Sequence, residues 1–368
     1  MHKCEIRYAS YYTIIFEQNF FYSMQKILVT GGTGFIGSHT VVALIEAGFE
    51  ATIIDDLSNS RLEVLDGIEK ITGTKPDFYK LNLNSKEEVY DFFNRFPYFD
   101  GVIHFAALKA VGESVEKPLE YYSNNLGSLI NLLENIKLKR LKNLVFSSSC
   151  TVYGQPDQLP VTENFPIKKA ESPYGNTKII SEQIIEDLCK QKKLNSISLR
   201  YFNPIGAHPS ALIGELPIGP PNNLIPVVTQ TAIGKRDKVI VFGDDYPTVD
   251  GSCIRDYIHV TDLANAHVIA LQRMVAGKQR TNYEVFNIGT GTGYSVLNVI
   301  NTFEKVSGVK LNYEIGPRRQ GDVVQIYADT SFANEELGWK ATEDLESMVS
   351  SAWEWEQNIP KLFPNNSI

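Results

Sequence analysis

Apolar residues fall into two recurring patterns along the first two hundred positions. Short unbroken runs read as strands buried on both faces, and longer stretches with apolar positions every three or four residues read as helices with one packed face. These patterns predict strands at Ile27–Thr30, Glu50–Ile54, Asp77–Leu81, Gly101–Phe105, Asn143–Ser147 and Ser196–Tyr201. They predict helices from the turn after Thr30 to Gly48, then over Arg61–Thr72, Lys86–Arg95, Leu119–Lys137 and Pro173–Lys192. Strands alternating with helices of these lengths argue for βαβ units, an α/β fold with a doubly wound, mainly parallel sheet.

The texture changes beyond Tyr201. Residues 203–222 hold five prolines and three glycines, an irregular segment long enough to be functional. A helix at about 224–234, a strand at Val239–Val241, a turn-rich loop from Gly243 to Ser252 and a helix at 261–275 follow. A strand at 284–288, a helix at 295–307, a strand at 311–315, the charged segment Arg318–Asp322 and two further helices complete the pattern. This reads as a smaller mixed α/β part closing over the C-terminal edge of the sheet, where doubly wound folds bind ligands. The expected division is a dinucleotide-binding domain at 24–202 and a mainly substrate-binding part at 203–368, with some segments of the latter returning to the first domain.

Composition narrows the class. The 368-residue chain is 43% hydrophobic and 21% charged, with net charge -8 and pI near 5.4. That balance gives no electrostatic footprint for nucleic acid or an anionic membrane, and no apolar run approaches the ~18 residues that span a bilayer. Cys4, Cys150, Cys189 and Cys253 are scattered without metal-ligand spacing, as suits a reducing cytoplasm. Residues 1–23 are rich in Tyr and Phe but carry no signal-peptide cleavage pattern, and Met24 stands just before the first strand. They are expected to be a non-essential leader or an upstream mis-assigned start.

The chemistry begins at Thr30-Gly31-Gly32-Thr33-Gly34-Phe35-Ile36-Gly37, a glycine-rich turn between strand and helix. Glycine there allows unusual backbone angles and close approach of a pyrophosphate, and the helix N-terminus offers free N–H groups to phosphates. Such a turn also serves purely structural ends. Asp55, at the end of the second strand, stands near the ~20-residue offset of a carboxylate that binds a ribose hydroxyl. A carboxylate there repels the extra phosphate of NADP, so strand, turn, helix and acid together point to NAD in a Rossmann-type sheet. Tyr174 and Lys178 lie four apart in a helix opened by Ser172 and Pro173, hence on one face. A nearby cation and the helix dipole favour the phenolate of a tyrosine that ordinarily titrates near ~10. Ser149, at a strand end, is placed to hydrogen-bond a sugar hydroxyl; Ser147 and Ser148 can be simple turn residues.

These residues resemble the extended short-chain dehydrogenases, which act on nucleotide sugars, and longer runs resemble the UDP-glucose 4-epimerase family within them. The runs are His104-Phe-Ala-Ala-Leu-Lys-Ala-Val-Gly-Glu-Ser114, Leu119-Glu-Tyr-Tyr-Ser-Asn-Asn125, Ser147-Ser-Ser-Cys-Thr-Val-Tyr-Gly154, Arg200-Tyr-Phe-Asn-Pro-Ile-Gly-Ala-His-Pro209 and Arg255-Asp-Tyr-Ile-His-Val260. The resemblance spans about residues 24–358. It implies an isomerase with tightly held NAD, interconverting UDP-glucose and UDP-galactose through a 4-keto sugar that turns over and takes the hydride back on its other face. It also implies a homodimer.

By the same resemblance, Tyr174, Lys178 and Ser149 are catalytic. The NAD site comprises Gly31, Gly34, Phe35, Ile36, Gly37, Asp55, Asp56, Leu57, Ser58, Asn59, Ser60, Asn82, Leu83, Phe105, Ala106, Ala107, Leu108, Lys109, Asn124 and Phe202, with Ser149, Tyr174 and Lys178. Asn203, Asn223, Leu224, Arg255, Arg319 and Asp322, with Ser149 and Tyr174, hold the UDP-sugar; Arg forks suit diphosphate oxygens. Two departures stand out. Asn82-Leu83 replaces the usual adenine-contacting aspartate, and Ile326 occupies the position that gates the sugar pocket, leaving acceptance of N-acetylated sugars open. A nucleotide-sugar 4,6-dehydratase would carry an Asp-Glu pair where this chain has Cys150-Thr151, which disfavours that rival. A non-catalytic NAD sensor would have no need of the proton relay.

Overall fold

The computed structural model describes residues 24–319 and 321–363; the leader expectation lies outside these residues. The chain opens with β1 (Lys26–Thr30), α1 (Phe35–Glu46), β2 (Glu50–Asp55), α2 (Val64–Thr72), β3 (Asp77–Lys80), α3 (Lys86–Arg95) and β4 (Gly101–His104). It continues through α4 (Val111–Glu116), α5 (Pro118–Lys139), β5 (Asn143–Ser147), α6 (Pro173–Lys190) and β6 (Asn195–Tyr201). Helix starts follow local chemistry: the Ser85 side chain accepts the Glu88 N–H at α3, and Ser172 accepts that of Gly175 at α6 behind Pro173.

The second half carries β7 (Asn203–Ile205), α7 (Leu224–Ala232), β8 (Val239–Phe242), β9 (Ile254–His259), α8 (Val260–Val275), β10 (Tyr283–Ile288), β11 (Gly293–Ser295), α9 (Val296–Ser307), β12 (Tyr313–Gly316) and β13 (Gln325–Ile326). A π turn at Ala333–Leu337 precedes α10 (Leu345–Leu362), so one helix and this turn stand where two helices were expected. Helix α2 starts three residues after Arg61, and α4, β7, β9, β11 and β13 had no predicted counterpart.

Seven strands form one sheet in the order β10-β6-β5-β4-β1-β2-β3, with every neighbouring pair parallel. Its strands read as unbroken apolar runs because both faces are covered. Ile27, Val29, Ile53, Ile103 and Val145 face a layer built with α1, α2 and α8. Leu28, Ile54, Val102, Leu144 and Phe146 face the layer of α3, α5 and α6. Thus α8 and β10 rejoin the first half of the chain. In a small second sheet β9 is central: antiparallel β11 lies on one side and β13, paired with Ile254 and Arg255, on the other, while β7 pairs with Tyr257–His259 further along β9. Parallel β8 and β12 pair separately. No helix among the described residues is long and apolar enough to cross a membrane.

Candidate active site

Most of the candidate residues lie just past the C-terminal end of a parallel strand: 31–37 after β1, 55–60 at β2, 82–83 after β3, 105–109 after β4, 149 after β5 and 202–203 after β6. Gly31 has φ +72°, and a β-carbon there would stand 2.8 Å from the Ala106 nitrogen; one on Gly37 would stand 2.2 Å from the Gly31 carbonyl oxygen. The turn therefore packs backbone on backbone, and Gly34 opens α1 with no side-chain cap, leaving first-turn N–H groups for an anion. The Asp55 carboxylate accepts the Leu57 N–H (2.9 Å), the Ser60 hydroxyl (3.1 Å) and the Thr33 N–H (3.3 Å). Leu57 holds φ +61° and Asp56 accepts the Ser58 N–H, and the loop carrying Asn59 returns to the glycine turn at Ser60, whose hydroxyl meets that of Thr33 at 2.7 Å. This donor set, with an acid beside a glycine cradle, fits NAD.

Asn125 fixes the 105–109 loop: its amide accepts the Leu108 N–H (2.8 Å) and donates to the Leu108 carbonyl (3.0 Å) and Thr177 hydroxyl (3.1 Å). Phe105, Ala106 and Ala107 are half-buried beside it. Next to it, Asn124 accepts from Asn84 Nδ2 at 2.7 Å, and Asn84 N–H donates to Asn82, tying the end of β3 to α5; Leu83 is buried. Lys109 points to Glu215 (3.3 Å), whose carboxylate also accepts Asn223 Nδ2 at 2.5 Å. One carboxylate thus links a candidate cofactor residue to a candidate substrate residue at the start of α7, next to Leu224. Phe202 is buried in a cluster with Cys150, Val152 and Ile179 and adjoins Asn203 on β7.

Ser149, Tyr174 and Lys178 come together, all buried. Lys178 Nζ donates to the Ser147 carbonyl at 2.7 Å and lies 4.9 Å from the Phe146 ring centroid and 5.9 Å from that of Tyr174. Ser149 Oγ caps a 3-10 turn at Cys150–Tyr153 by accepting the Thr151 N–H. Burial raises the Tyr174 phenol well above its ordinary value, and the Ser149 hydrogen bond pulls it back. Burial lowers the Lys178 ammonium to about 8, with Glu182 acting in the opposite sense. Desolvation, which outweighs the expected cation effect, favours the neutral form of each group. His104, hydrogen-bonded to Thr30 (2.7 Å), is held neutral by burial and by the Lys178 charge, at about 3.

The candidate substrate residues Arg255, Arg319 and Asp322 form a charge cluster. Arg319 forms a two-pronged pair with Asp322 (2.8 and 3.1 Å), and Arg255 Nη2 lies 3.5 Å from the same carboxylate. Arg319 stands over Phe242 at 5.5 Å. Ile326 pairs with Arg255 across the sheet and packs with Cys150, Val152 and Phe202. Beneath them the buried Asp256 accepts Thr290 N–H and hydroxyl, Gly291 N–H and Ala328 N–H. Asn125, Glu215 and Asp256 escaped the sequence reading; Asn125 and Asp256 are polar residues directly beside the candidates Asn124 and Arg255, whereas Glu215, in the proline-rich segment, carried no such signal. A cavity of about 410 Å³ between α1, α8 and residues 338–342 contains none of these groups.

A glycine cradle with a strand-end acid, followed by a strand-end serine and a Tyr-x-x-x-Lys helix, defines a short-chain dehydrogenase/reductase. The family model described as GDP-mannose 4,6 dehydratase matches residues 28–352. UDP-glucose 4-epimerase of Mus musculus is 48% identical over 92% of this chain and 99% of its own, and that of Bacillus subtilis (strain 168) is 50% identical over 90% and 97%. The crystal structure of UDP-glucose 4-epimerase from Bifidobacterium longum in complex with NAD+ and UDP superposes with TM-score 0.88 at 44% identity, over 92% of this chain and 100% of that one. The Stenotrophomonas maltophila enzyme, with bound NAD and formylated UDP-arabinopyranose, gives 0.87 at 45% identity, over 92% and 99%. The chain belongs to this nucleotide-sugar family and, within it, to the UDP-glucose 4-epimerases.

Proposed function

We propose that the protein interconverts UDP-glucose and UDP-galactose, using NAD bound over the β1 turn. The observation that carries the reading is the buried Ser149–Tyr174–Lys178 cluster at the end of β5, with the uncharged pair Cys150-Thr151 where dehydration chemistry would need acids. Held at the β1 turn beside Asp55, NAD would supply a hydride acceptor and donor for hexose C4, and its positive ring would favour the Tyr174 phenolate. Tyr174 Oη takes the proton of the 4-hydroxyl and gives it back after the sugar has turned over. Ser149 Oγ hydrogen-bonds that hydroxyl, and Lys178 stabilises the phenolate. Asp55 holds a ribose of the dinucleotide, and its charge disfavours a 2′-phosphate. Arg255 and Arg319 hold the UDP diphosphate and Asp322 the uridine ribose, so the nucleotide stays fixed while the hexose rotates.

The same reading includes a homodimer, supported by Leu119, Ile130 and Leu138 exposed along α5, and a reducing cytoplasm, supported by free Cys150, Cys189 and Cys253. Sedimentation of the wild type and of Ile130→Lys tests the dimer; a monomeric wild type refutes it. Purified protein without added cofactor should convert UDP-galactose to UDP-glucose, and Tyr174→Phe should lower turnover by at least about a hundredfold with NAD retained. No turnover by intact, NAD-loaded wild type refutes the reading.

A further inference from the structure

Tyr174, Lys178 and Glu182 are spaced four apart on α6, so one stripe of that helix carries all three. The Glu182 carboxylate is 3% exposed and forms a two-pronged pair with Arg200 of β6, at 3.0 Å from Nε and 2.6 Å from Nη2. Its Oε1 also accepts the Ser148 hydroxyl at 2.5 Å. Ser148 stands between Ser147, whose carbonyl receives the Lys178 ammonium, and Ser149; its own N–H donates to Phe146 and Leu199 carbonyls. The three serines therefore do three different things: one holds the lysine, one meets the proposed substrate, and the middle one ties both to α6.

Arg200 is steadied in turn by the Tyr153 hydroxyl (3.0 Å) and the Glu163 carbonyl (3.3 Å), and Tyr153 donates to Asn287 of β10 at 2.6 Å. Around this network stand Tyr283 from β10, Glu186 one turn further along α6, and the Glu163 carboxylate, which accepts the Asn287 N–H. Facing Lys178 are Tyr174 and Glu182 from its own helix and the neutral His104 from β4.

We propose that Glu182 is a positioning residue of the proton relay: one helical turn beyond Lys178, it fixes the β5 end against α6 through Ser148 and Arg200. The proposal rests on the epimerase reading above and goes beyond it by assigning the pair that orients the relay. Two effects separate in the test. Loss of the Ser148 tether lets the Ser149 hydroxyl shift relative to Tyr174 while the Glu182 charge stays. Loss of the charge weakens the hold on the Lys178 proton, so that activity falls off at a lower pH.

UDP-galactose turnover of purified, NAD-containing protein is measured from about pH 6 to about pH 10, spanning the ordinary and the buried lysine range. Ser148→Ala should lower kcat about tenfold, with KM and the alkaline limb of the profile unchanged. Glu182→Gln should move that alkaline limb down by roughly one pH unit, and Glu182→Asp should restore it in part. Because Glu182→Gln strands the Arg200 guanidinium, Glu182→Gln/Arg200→Met is measured alongside and should show the same displaced limb. Wild-type kcat in Ser148→Ala overturns the tether. A wild-type limb in whichever charge-removing variant folds overturns the electrostatic half, activity then merely tracking the folded fraction. An inactive wild type would instead overturn the epimerase reading itself.

Discussion

Replacing Gly31 with alanine separates the two demands made on the cofactor turn, and Gly48→Ala provides the matched control. Both glycines have positive φ, +72° and +85°, so each alanine carries a left-handed penalty of about 1–2 kcal/mol. Only at Gly31 does the new β-carbon meet anything: the Ala106 nitrogen at 2.8 Å and its α-carbon at 3.1 Å, whereas nothing lies within 4 Å at Gly48. The obstacles are backbone atoms just past β4, which cannot swing aside as a side chain would, adding about 1–3 kcal/mol of overpacking. An unfolding entropy of about 2.1 cal/mol/K per residue over about 340 folded residues makes each kcal/mol worth about 1.4 °C. Gly48→Ala should therefore lower Tm by about 1–3 °C and leave activity intact. Gly31→Ala should lower it by about 3–7 °C and shed NAD, because the relief of the clash displaces either the turn or the 105–109 loop. Calorimetry and the NAD content after gel filtration read both effects. Equal Tm losses and equal NAD content in the two variants would refute the steric account of the turn.

Asp256→Asn should remove at least two of the four hydrogen bonds that this carboxylate accepts, at about 1–3 kcal/mol each. Because Arg255 adjoins it, KM for UDP-galactose should rise more than kcat falls; an unchanged KM in folded protein argues against the link. Burial holds His39 and His104 at about 3 and His267 at about 4, against 6.5 in an unfolded chain. The unfolded state then binds protons that the folded state does not, so stability falls as pH drops below ~6.5, by up to about 4 kcal/mol per pH unit for the three. Urea midpoints at about pH 7.5 and about pH 5.5 check this, and equal midpoints would contradict the neutral burial. Ile326→Ala should cost about 2–5 kcal/mol and raise kcat/KM for UDP-GlcNAc relative to UDP-galactose; an unchanged ratio removes Ile326 from the pocket wall.

The first half of the molecule was legible because its physics is periodic. Strands covered by helices on both faces must be apolar at every position, and so β1, β4 and β5 stand out as unbroken runs with ends correct to within a residue or so. Their C-terminal ends then mark the candidate site without further information, since loops there share one edge of the sheet. The second half hides its key element. β9 reads Ile-Arg-Asp-Tyr-Ile-His, neither apolar nor alternating, because two of its polar side chains have work inside the protein. Arg255 reaches the Asp322 carboxylate, and Asp256 gathers four donors from two other segments. A strand whose partners are polar and distant in sequence leaves no period to detect.

The strand pairing also brings distant residues together as the proposed anchor. β9 pairs with β13 at Ile254–Arg255 and with β7 at Tyr257–His259. Asn203, Arg255 and Ile326 are therefore set in register by backbone pairing, although more than a hundred residues separate the first from the last. β7 leaves β6 directly, whose neighbour β5 ends at the serines, so the proposed anchor is built onto the same end of the sheet as the proposed relay. A helix or loop supplying Arg255 would leave its distance from Tyr174 free to vary. A strand locked on both edges does not, and for a hexose that must turn over while its nucleotide stays fixed, that distance is what the fold has to hold constant.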